Sequence, residues 1–157
     1  MELRIPPPEL RSLVHARFGD RLRRAGSFAQ LTVLGAAACL EQAGGGGTLG
    51  MLWTSRRGAV LATRAALAEL RSGEPLMPYT FLATQPHLAT PLFAQHVHPL
   101  ARCAFLYLEP GQDTVLATLA RAWTSTCDRV LLGRVEESAA ADAPHESDWR
   151  LLRRGEL

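Results

Sequence analysis

The cysteines Cys39, Cys103 and Cys127 are the strongest nucleophiles that this sequence offers. A cysteine attacks as its thiolate, which helix N-termini and neighbouring cations stabilise, so its position decides whether it reacts. The three are widely spaced and odd in number, which argues against a disulfide framework and favours a reducing compartment. We therefore predict a cytoplasmic protein with free thiols.

Histidines are the residues that most often bind a metal ion, and His87, His96 and His98 lie near Cys103 in the sequence. The side chains of His96 and His98 reach one ion only in an extended segment, because a helix separates them by about 200°. No Cys-x-x-Cys or His-Glu-x-x-His motif accompanies them. We predict no metal and no cofactor, and a polar surface around a loop instead.

Other common catalytic arrangements lack their key residues. Ser55, Ser72 and Ser125 stand outside a Gly-x-Ser-x-Gly elbow, so a hydrolase triad has no support. All 17 cationic side chains are Arg, and the absence of Lys excludes a Schiff base and a Walker-type phosphate lysine. The four glycines at 44–47 follow a predicted helix instead of preceding one, which indicates a turn and not a phosphate loop.

The charge of the chain is nearly balanced. A net charge of +2 and a pI of about 8.7 are too weakly basic to predict nucleic-acid binding. The most basic stretch, residues 17–24, is interpreted as a solvated helix end or docking rim. The N-terminal MELRIPPPEL has no apolar core of a signal peptide, and no stretch predicts a membrane span.

With 157 residues, 47% of them hydrophobic, the chain can bury one core, and we predict a single domain over 1–157. Helices and strands alternate, which predicts a three-layer α/β sandwich with a mostly parallel sheet. We expect an N-terminal lead-in over 1–24 and a surface loop over 136–148. Ser27 is the predicted N-cap of the second helix. The predicted helices are 8–18, 28–43, 59–71, 88–97 and 113–124, and the strands are 48–54, 102–108, 129–135 and 149–152.

Segment 102–108, RCAFLYL, is the strongest strand prediction. Cys103 and Phe105 share one face of it, and we expect helices to cover both faces of a central strand. Helix 113–124 is expected to turn Val115 and Leu116 inward. Large aromatic residues are interpreted as core or interface anchors: Trp53, Trp123 and Trp149.

Residues 55–58 (SRRG) end a predicted strand, and residues 73–81 (GEPLMPYTF) follow the next helix. In these blocks the chain resembles the beta-ketoacyl synthase N-terminal-like domain family, whose members carry Ser-Arg-His-Gly, a helix, then Gly-Glu-Pro-Leu-Ser-Pro-Thr-x-Phe. The resemblance covers roughly residues 24–137. It departs at Arg57, where the family has His, and at 84–88 (TQPHL), where the family has Ser-Val-His-Asn-Ala.

The resemblance implies the N-terminal half of the thiolase fold and a place in bacterial clusters that make aryl polyene pigments of the xanthomonadin type. Full ketosynthases need a thiolate where a core strand turns into a buried helix, and generally two histidines for the oxyanion and enolate. The equivalent junction here, 108–113, has no Cys, Ser or Thr before Thr114. Cys103 lies about five residues too early, on the order of 15 Å along a strand.

Chain-length factors resemble ketosynthases but carry Gln in place of the nucleophile, and Gln112 falls near that position. An ordinary polar residue in the first helical turn is the alternative, and Glu109 could equally complement the helix dipole. The candidate binding residues from the blocks and the junction are Tyr79, Thr80, Phe81, His87, Glu109 and Gln112.

We therefore predict a catalytically inactive ketosynthase-like protein of polyketide, aryl polyene or fatty-acid biosynthesis. It would bind a full ketosynthase, an acyl carrier protein, or both. Half of a thiolase fold leaves an apolar sheet edge, so we expect a homodimer or heterodimer built on strand 102–108. The alternative is a small acyl-thioester enzyme that uses Cys103 or a histidine of the loop 84–98, such as His87.

Overall fold

The computed structural model describes residues 1–73, 75–109, 111–140 and 142–156. Glu74 of the second motif block, Pro110 of the strand-to-helix junction and Ala141 of the expected loop lie outside the described residues. Short 3₁₀ turns occupy Gly19–Leu22 and Pro86–Leu88. The helices and strands follow in this order: β1 (Glu2–Ile5), α1 (Pro7–Phe18), α2 (Ser27–Ala43), β2 (Leu49–Ser55), α3 (Val60–Arg71), α4 (Pro78–Ala83), α5 (Ala89–His96), β3 (Arg102–Tyr107), α6 (Asp113–Thr124), β4 (Arg129–Glu136) and β5 (His145–Arg153).

The strands form one sheet in the order β1-β5-β4-β2-β3. β2 runs parallel to β3 and β4, with Leu52 opposite Ala104 and Leu132. β5 runs antiparallel to β4 and β1, because the short connection from β4 suits only an antiparallel return. Helices lie on both faces, which confirms the three-layer α/β fold; the parallel part is the three strands β3, β2 and β4.

α2 is the centre of one helical layer and is buried on several sides, as predicted. It lies over β5 and β4, where Trp149 is fully buried. A Cβ at Gly133 would come within 2.4 Å of the Trp149 ring, so only glycine fits there. Trp53 is also fully buried, which confirms the predicted core role of both tryptophans. Neither α2 nor any other helix in the described ranges has the length and apolar character to cross a membrane.

α6 covers the opposite face of the sheet. Leu116 and Ala120 pack with Leu52 and Val130 in a second apolar cluster. Val115, which was expected to point inward, is 44% exposed. Neighbouring helix positions differ by about 100°, and Val115 lies on the outer border of the face that Leu116 and Ala120 turn to the sheet.

The N-terminal segment is part of the core, which corrects the lead-in expected over 1–24. β1 pairs with β5, and Ile5 is buried at the end of β1. Pro7 stands in the first turn of α1, where its missing N–H costs nothing. α1 then buries Leu10 and Val14 against α2.

The surface loop expected over 136–148 is also corrected. Glu136 ends β4, and β5 begins at His145. Glu137 and His145 are each only 1% exposed. Polar residues occupy buried positions of this strand, including Ser147, so the hydrophobic alternation that signals a strand is missing.

β3 lies at an edge of the sheet, which corrects the prediction that it is central with both faces covered. It pairs with β2 on one side, and among the described residues no strand pairs with its other side. Cys103 is exposed and Phe105 is half-buried. The apolar sequence of β3 indicates burial, although an edge strand that binds a partner has the same composition.

Candidate functional site

The turn after β2 is held by side chains from the carboxyl ends of two parallel strands. Ser55 is buried, and its hydroxyl oxygen accepts hydrogen bonds from the backbone N–H of Gly58 (2.8 Å) and of Arg57 (3.3 Å). The same hydroxyl donates to Glu136 (3.3 Å), which also accepts from the Arg56 backbone N–H (2.8 Å). The SRRG block is therefore a structural turn that β4 holds in place. No described contact gives Ser55 a histidine partner, which a catalytic triad requires.

A buried carboxylate lies beside this turn. One oxygen of Glu137 accepts a hydrogen bond from the Ser27 hydroxyl, and the other accepts from the Leu61 backbone N–H at 2.8 Å. Leu61 lies in the first turn of α3, where the helix dipole favours a negative charge. Ser27 was predicted as the N-cap of α2, but Gly26 takes that position and leaves the Ser27 side chain to Glu137.

His145 lies close enough to Glu137 for the carboxylate to affect its titration. Its Nδ1 atom accepts a hydrogen bond from the Ser138 backbone N–H at 3.0 Å. Burial lowers the pKa of His145 below its usual 6.5, and the Glu137 carboxylate opposes this shift. The imidazole is therefore neutral near pH 7, and together the two residues fix the connection between β4 and β5.

His87 joins an aromatic cluster on the sheet face that α2 covers. Its ring centroid lies 5.8 Å from that of Trp53 and 6.0 Å from that of Phe105, edge-on in both cases. Phe105 also contacts Tyr107, with centroids 4.8 Å apart. Tyr107 is 60% exposed and closes against the turn after β2, where a Cβ at Gly58 would lie 2.7 Å from the tyrosine hydroxyl. The free edge of the sheet thus ends in an exposed aromatic surface.

The predicted binding residues of α4 have different partners. The Tyr79 hydroxyl accepts from Arg24 at 3.4 Å, and the Arg24 guanidinium lies 5.8 Å from the ring centroid. The Thr80 hydroxyl donates to Glu69 at 2.9 Å. Phe81 is exposed. The described contacts do not bring these three side chains together into one pocket.

The junction between β3 and α6 is closed by its own residues. The backbone N–H of Glu109 donates to the side-chain oxygen of Gln112 at 3.0 Å, and the Gln112 N–H donates to the Glu109 carbonyl at 3.2 Å. Both side chains are exposed. The described residues of the junction offer no thiol or hydroxyl, and Cys103 lies at the other end of β3.

Large apolar side chains are exposed on α3 and α4, which pack against each other. In α3 the one fully buried residue is Ala66. Contiguous exposed apolar patches of this kind mark interaction sites. We name this patch the α3–α4 surface, and it consists of Leu67, Leu70, Met77, Tyr79, Phe81 and Leu82.

The remaining candidate histidines make contacts of another kind. His98 lies with Nδ1 2.7 Å from the Pro99 carbonyl oxygen and with Nε2 3.3 Å from the guanidinium of the buried Arg129. His96 ends α5. Within the described ranges, no three His, Cys, Asp or Glu side chains come together as metal ligands.

Comparison with protein-family profiles finds no match, and comparison with curated protein sequences also finds none. Among solved structures, the chain is similar to a chain of the complex between the ketosynthase ApeO and its chain length factor ApeC from Xenorhabdus doucetiae. The TM-score is 0.68 at 16% sequence identity, and the match covers 98% of this chain and 76% of that chain. The similarity establishes the fold, and it confirms at that level the ketosynthase resemblance of the two motif blocks.

Sequence reasoning missed the polar residues that organise this region: Ser27, Glu136, Glu137 and His145. The sequence does carry a signal for Glu136 and Glu137, because this acidic pair directly follows the predicted strand 129–135. The carboxyl ends of parallel strands meet at one edge of a sheet, so this pair had to lie near the SRRG turn.

Proposed function

We propose that this chain is a non-catalytic ketosynthase-like subunit that binds a full ketosynthase in polyketide-type biosynthesis, aryl polyene formation in particular. The junction between β3 and α6 carries the proposal. A ketosynthase places its nucleophile at such a junction, and the described residues here hold Glu109 and Gln112 instead.

Cys103 does not replace the missing nucleophile. It lies at the start of β3, about five residues before the junction, which corresponds to roughly 15 Å along a strand. A thiolate there is also remote from the N-terminus of α6, so the helix dipole does not activate it. Condensation chemistry therefore has to come from a partner.

The free edge of β3 supports binding of that partner. The Leu108 N–H donates to the Ser55 carbonyl at 3.3 Å, in step with the β2–β3 register, so the even-numbered residues of β3 point their backbone groups to β2. The N–H groups of Cys103 and Phe105 consequently point away from β2, where another strand can pair with them. Tyr107 adds exposed apolar area at one end of this edge.

A ketosynthase is the partner with the strongest support, because the structurally similar protein is itself part of a ketosynthase–chain length factor complex. The test is co-expression of the chain, without a tag at its N-terminus, with a tagged ketosynthase of aryl polyene biosynthesis. Size-exclusion chromatography with light scattering should then find one stable complex that contains both chains. The proposal fails if the chain elutes separately from the ketosynthase, as monomer or as dimer, and a parallel run with tagged acyl carrier protein tests the other predicted partner.

A further inference from the structure

The edge of the sheet opposite β3 is formed by β1 and is also free within the described ranges. Met1 and Trp149 exchange backbone hydrogen bonds, at 2.7 Å from the Met1 amino group and 2.8 Å from the Trp149 N–H. Because backbone groups alternate along an antiparallel strand, Leu3 and Ile5 also point to β5. The N–H and C=O groups of Glu2 and Arg4 therefore point outward, without a strand to receive them.

Where β1 pairs with β5, acidic residues outnumber basic ones. Glu2 lies opposite Asp148, which places two acidic residues side by side, and Arg4 lies opposite Glu146. Like charges directly opposite each other destabilise a strand pair. Within the chain, the Arg4 guanidinium lies 2.9 Å from the Glu2 carboxylate. The Met1 amino group lies 4.0 Å from the carboxylate of Asp148. Arg4 of a second copy would add a further cation on the free side of Glu2.

We propose that a second copy of this chain pairs with β1 in an antiparallel, two-fold arrangement centred on Leu3. In this register, Glu2 of each copy lies opposite Arg4 of the other. The backbone N–H and C=O groups of both residues point away from β5, so each Glu2–Arg4 pair exchanges two backbone hydrogen bonds. The proposal is independent of the proposed function, because it uses the opposite edge of the sheet.

Neighbouring registers of the same two-fold pair are unfavourable. Centring on Glu2 places Glu2 opposite its own copy, and centring on Arg4 places Arg4 opposite its own copy, so like charges meet. Centring on Arg4 also places Pro6 opposite Glu2, and Pro6 has no N–H to donate. The charges and Pro6 thus select one register, which explains how this short edge can be specific.

An apolar groove of about 670 Å³ runs beside the free edge. In the proposed register the two Leu3 side chains lie next to each other on the helix side of the sheet, at this groove. Leu13 is exposed within it, so a second copy would cover apolar surface as well as backbone. The apolar lining residues are Leu3, Ile5, Leu13, Ala16, Leu34 and Ala38.

Disulfide trapping tests the register. Two Leu3→Cys residues would form a non-hydrogen-bonded antiparallel pair, whose Cα separation of about 4.5 Å suits a disulfide. The protein carries Cys103→Ser, to remove the exposed thiol, and no N-terminal tag. Mild oxidation should convert most of the Leu3→Cys protein to a covalent dimer. Arg4→Cys is the matched control and should stay largely monomeric, because it lies opposite Glu2 of the second copy.

The proposal is overturned if folded Leu3→Cys protein stays monomeric, or if Arg4→Cys cross-links equally well. Reversing the charge of Glu2 or Arg4 gives a second test, and both residues are exposed, so neither substitution disturbs the core. Glu2→Arg and Arg4→Glu proteins should each elute as monomers, since each would oppose like charges. An equimolar mixture of the two should form a dimer of about twice the 17.1 kDa chain mass. If each variant dimerises alone, or if the mixture stays monomeric, β1 does not pair as proposed.

Discussion

The Ser27 hydroxyl donates a hydrogen bond to the Glu137 carboxylate, although 110 residues separate them in the chain. Glu137 is almost completely buried, and its second oxygen binds the backbone at the start of α3. One carboxylate thus joins the end of β4 to the first turns of α2 and α3. These are the elements that position the SRRG turn and the aromatic cluster.

Glu137→Gln should therefore destabilise the fold. The amide keeps the shape of the carboxylate, and with its oxygen on the Leu61 N–H its NH₂ group can donate to the Ser27 hydroxyl. Two hydrogen bonds to a buried charge then become weaker neutral ones. We expect the free energy of unfolding to fall by about 1–3 kcal/mol, measured by urea denaturation. The exposed Glu9→Gln is the control and should change it by less than about 0.5 kcal/mol. Equal denaturation midpoints for the two variants would contradict this role of Glu137.

His145 should make the fold less stable in mild acid. Burial lowers its pKa in the folded chain, whereas in the unfolded chain the pKa returns to about 6.5. Below pH 6.5 the unfolded state therefore binds a proton that the folded state does not. Stability is lost as the pH falls from 6.5 towards the folded-state pKa, and His145 makes no difference above that range.

The measurement is the free energy of unfolding between about pH 8 and about pH 5.5. His145→Asn keeps an oxygen that can accept the Ser138 N–H but has no titrating group. It should lose less stability over this range than the parent, while the exposed His15→Asn should follow the parent. A His145→Asn protein with the same pH dependence as the parent would show that His145 is not the responsible group.

The parallel half of the sheet was predictable because β2, β3 and β4 are apolar runs bounded by turn residues. β5 was only partly predicted, because His145 and Ser147 occupy buried positions and break the alternation. β1 was missed, since four residues followed by prolines carry little local signal. Its pairing with β5 joins the two ends of the chain.

For the candidate site, the sequence predicted the local segments but not the contacts between distant ones. The motif blocks located the turn after β2 and the helix α4, because both depend on neighbouring residues. The contacts of Ser27 with Glu137, and of Ser55 with Glu136, join distant segments, and a single sequence does not show such pairs.

Replacing Phe93 with alanine should destabilise the fold more than replacing Phe105, because Phe93 is more deeply buried. Phe93 of α5 is fully buried, so Phe93→Ala should lower the free energy of unfolding by about 3–5 kcal/mol. Phe105 on the edge strand is half-buried, so Phe105→Ala should cost less than about 3 kcal/mol. Denaturant unfolding of both variants checks this. A larger loss for Phe105→Ala than for Phe93→Ala would mean that β3 is covered on both faces.

The isolated chain should release no carbon dioxide and form no ketoacyl product from malonyl- and acyl-carrier protein. A thiol reagent should label the exposed Cys103 before the buried Cys39 and Cys127. Burial also raises the pKa of Cys39, which slows its reaction further. Turnover that disappears in Cys103→Ala would contradict the non-catalytic assignment and favour the acyl-thioester enzyme.

Binding of a ketosynthase through the free edge of β3 is the central claim, and a single backbone N–H tests it most directly. Cys103→Pro removes an N–H that points away from β2 and leaves the pairing with β2 intact, while Cys103→Ser keeps that N–H. Isothermal titration of the ketosynthase against both variants, after thermal unfolding has shown that both are folded, is the measurement. We predict that Cys103→Ser binds like the parent and that Cys103→Pro binds at least about tenfold more weakly, equivalent to about 1.4 kcal/mol. Equal affinities for the two variants would contradict an interface built on β3.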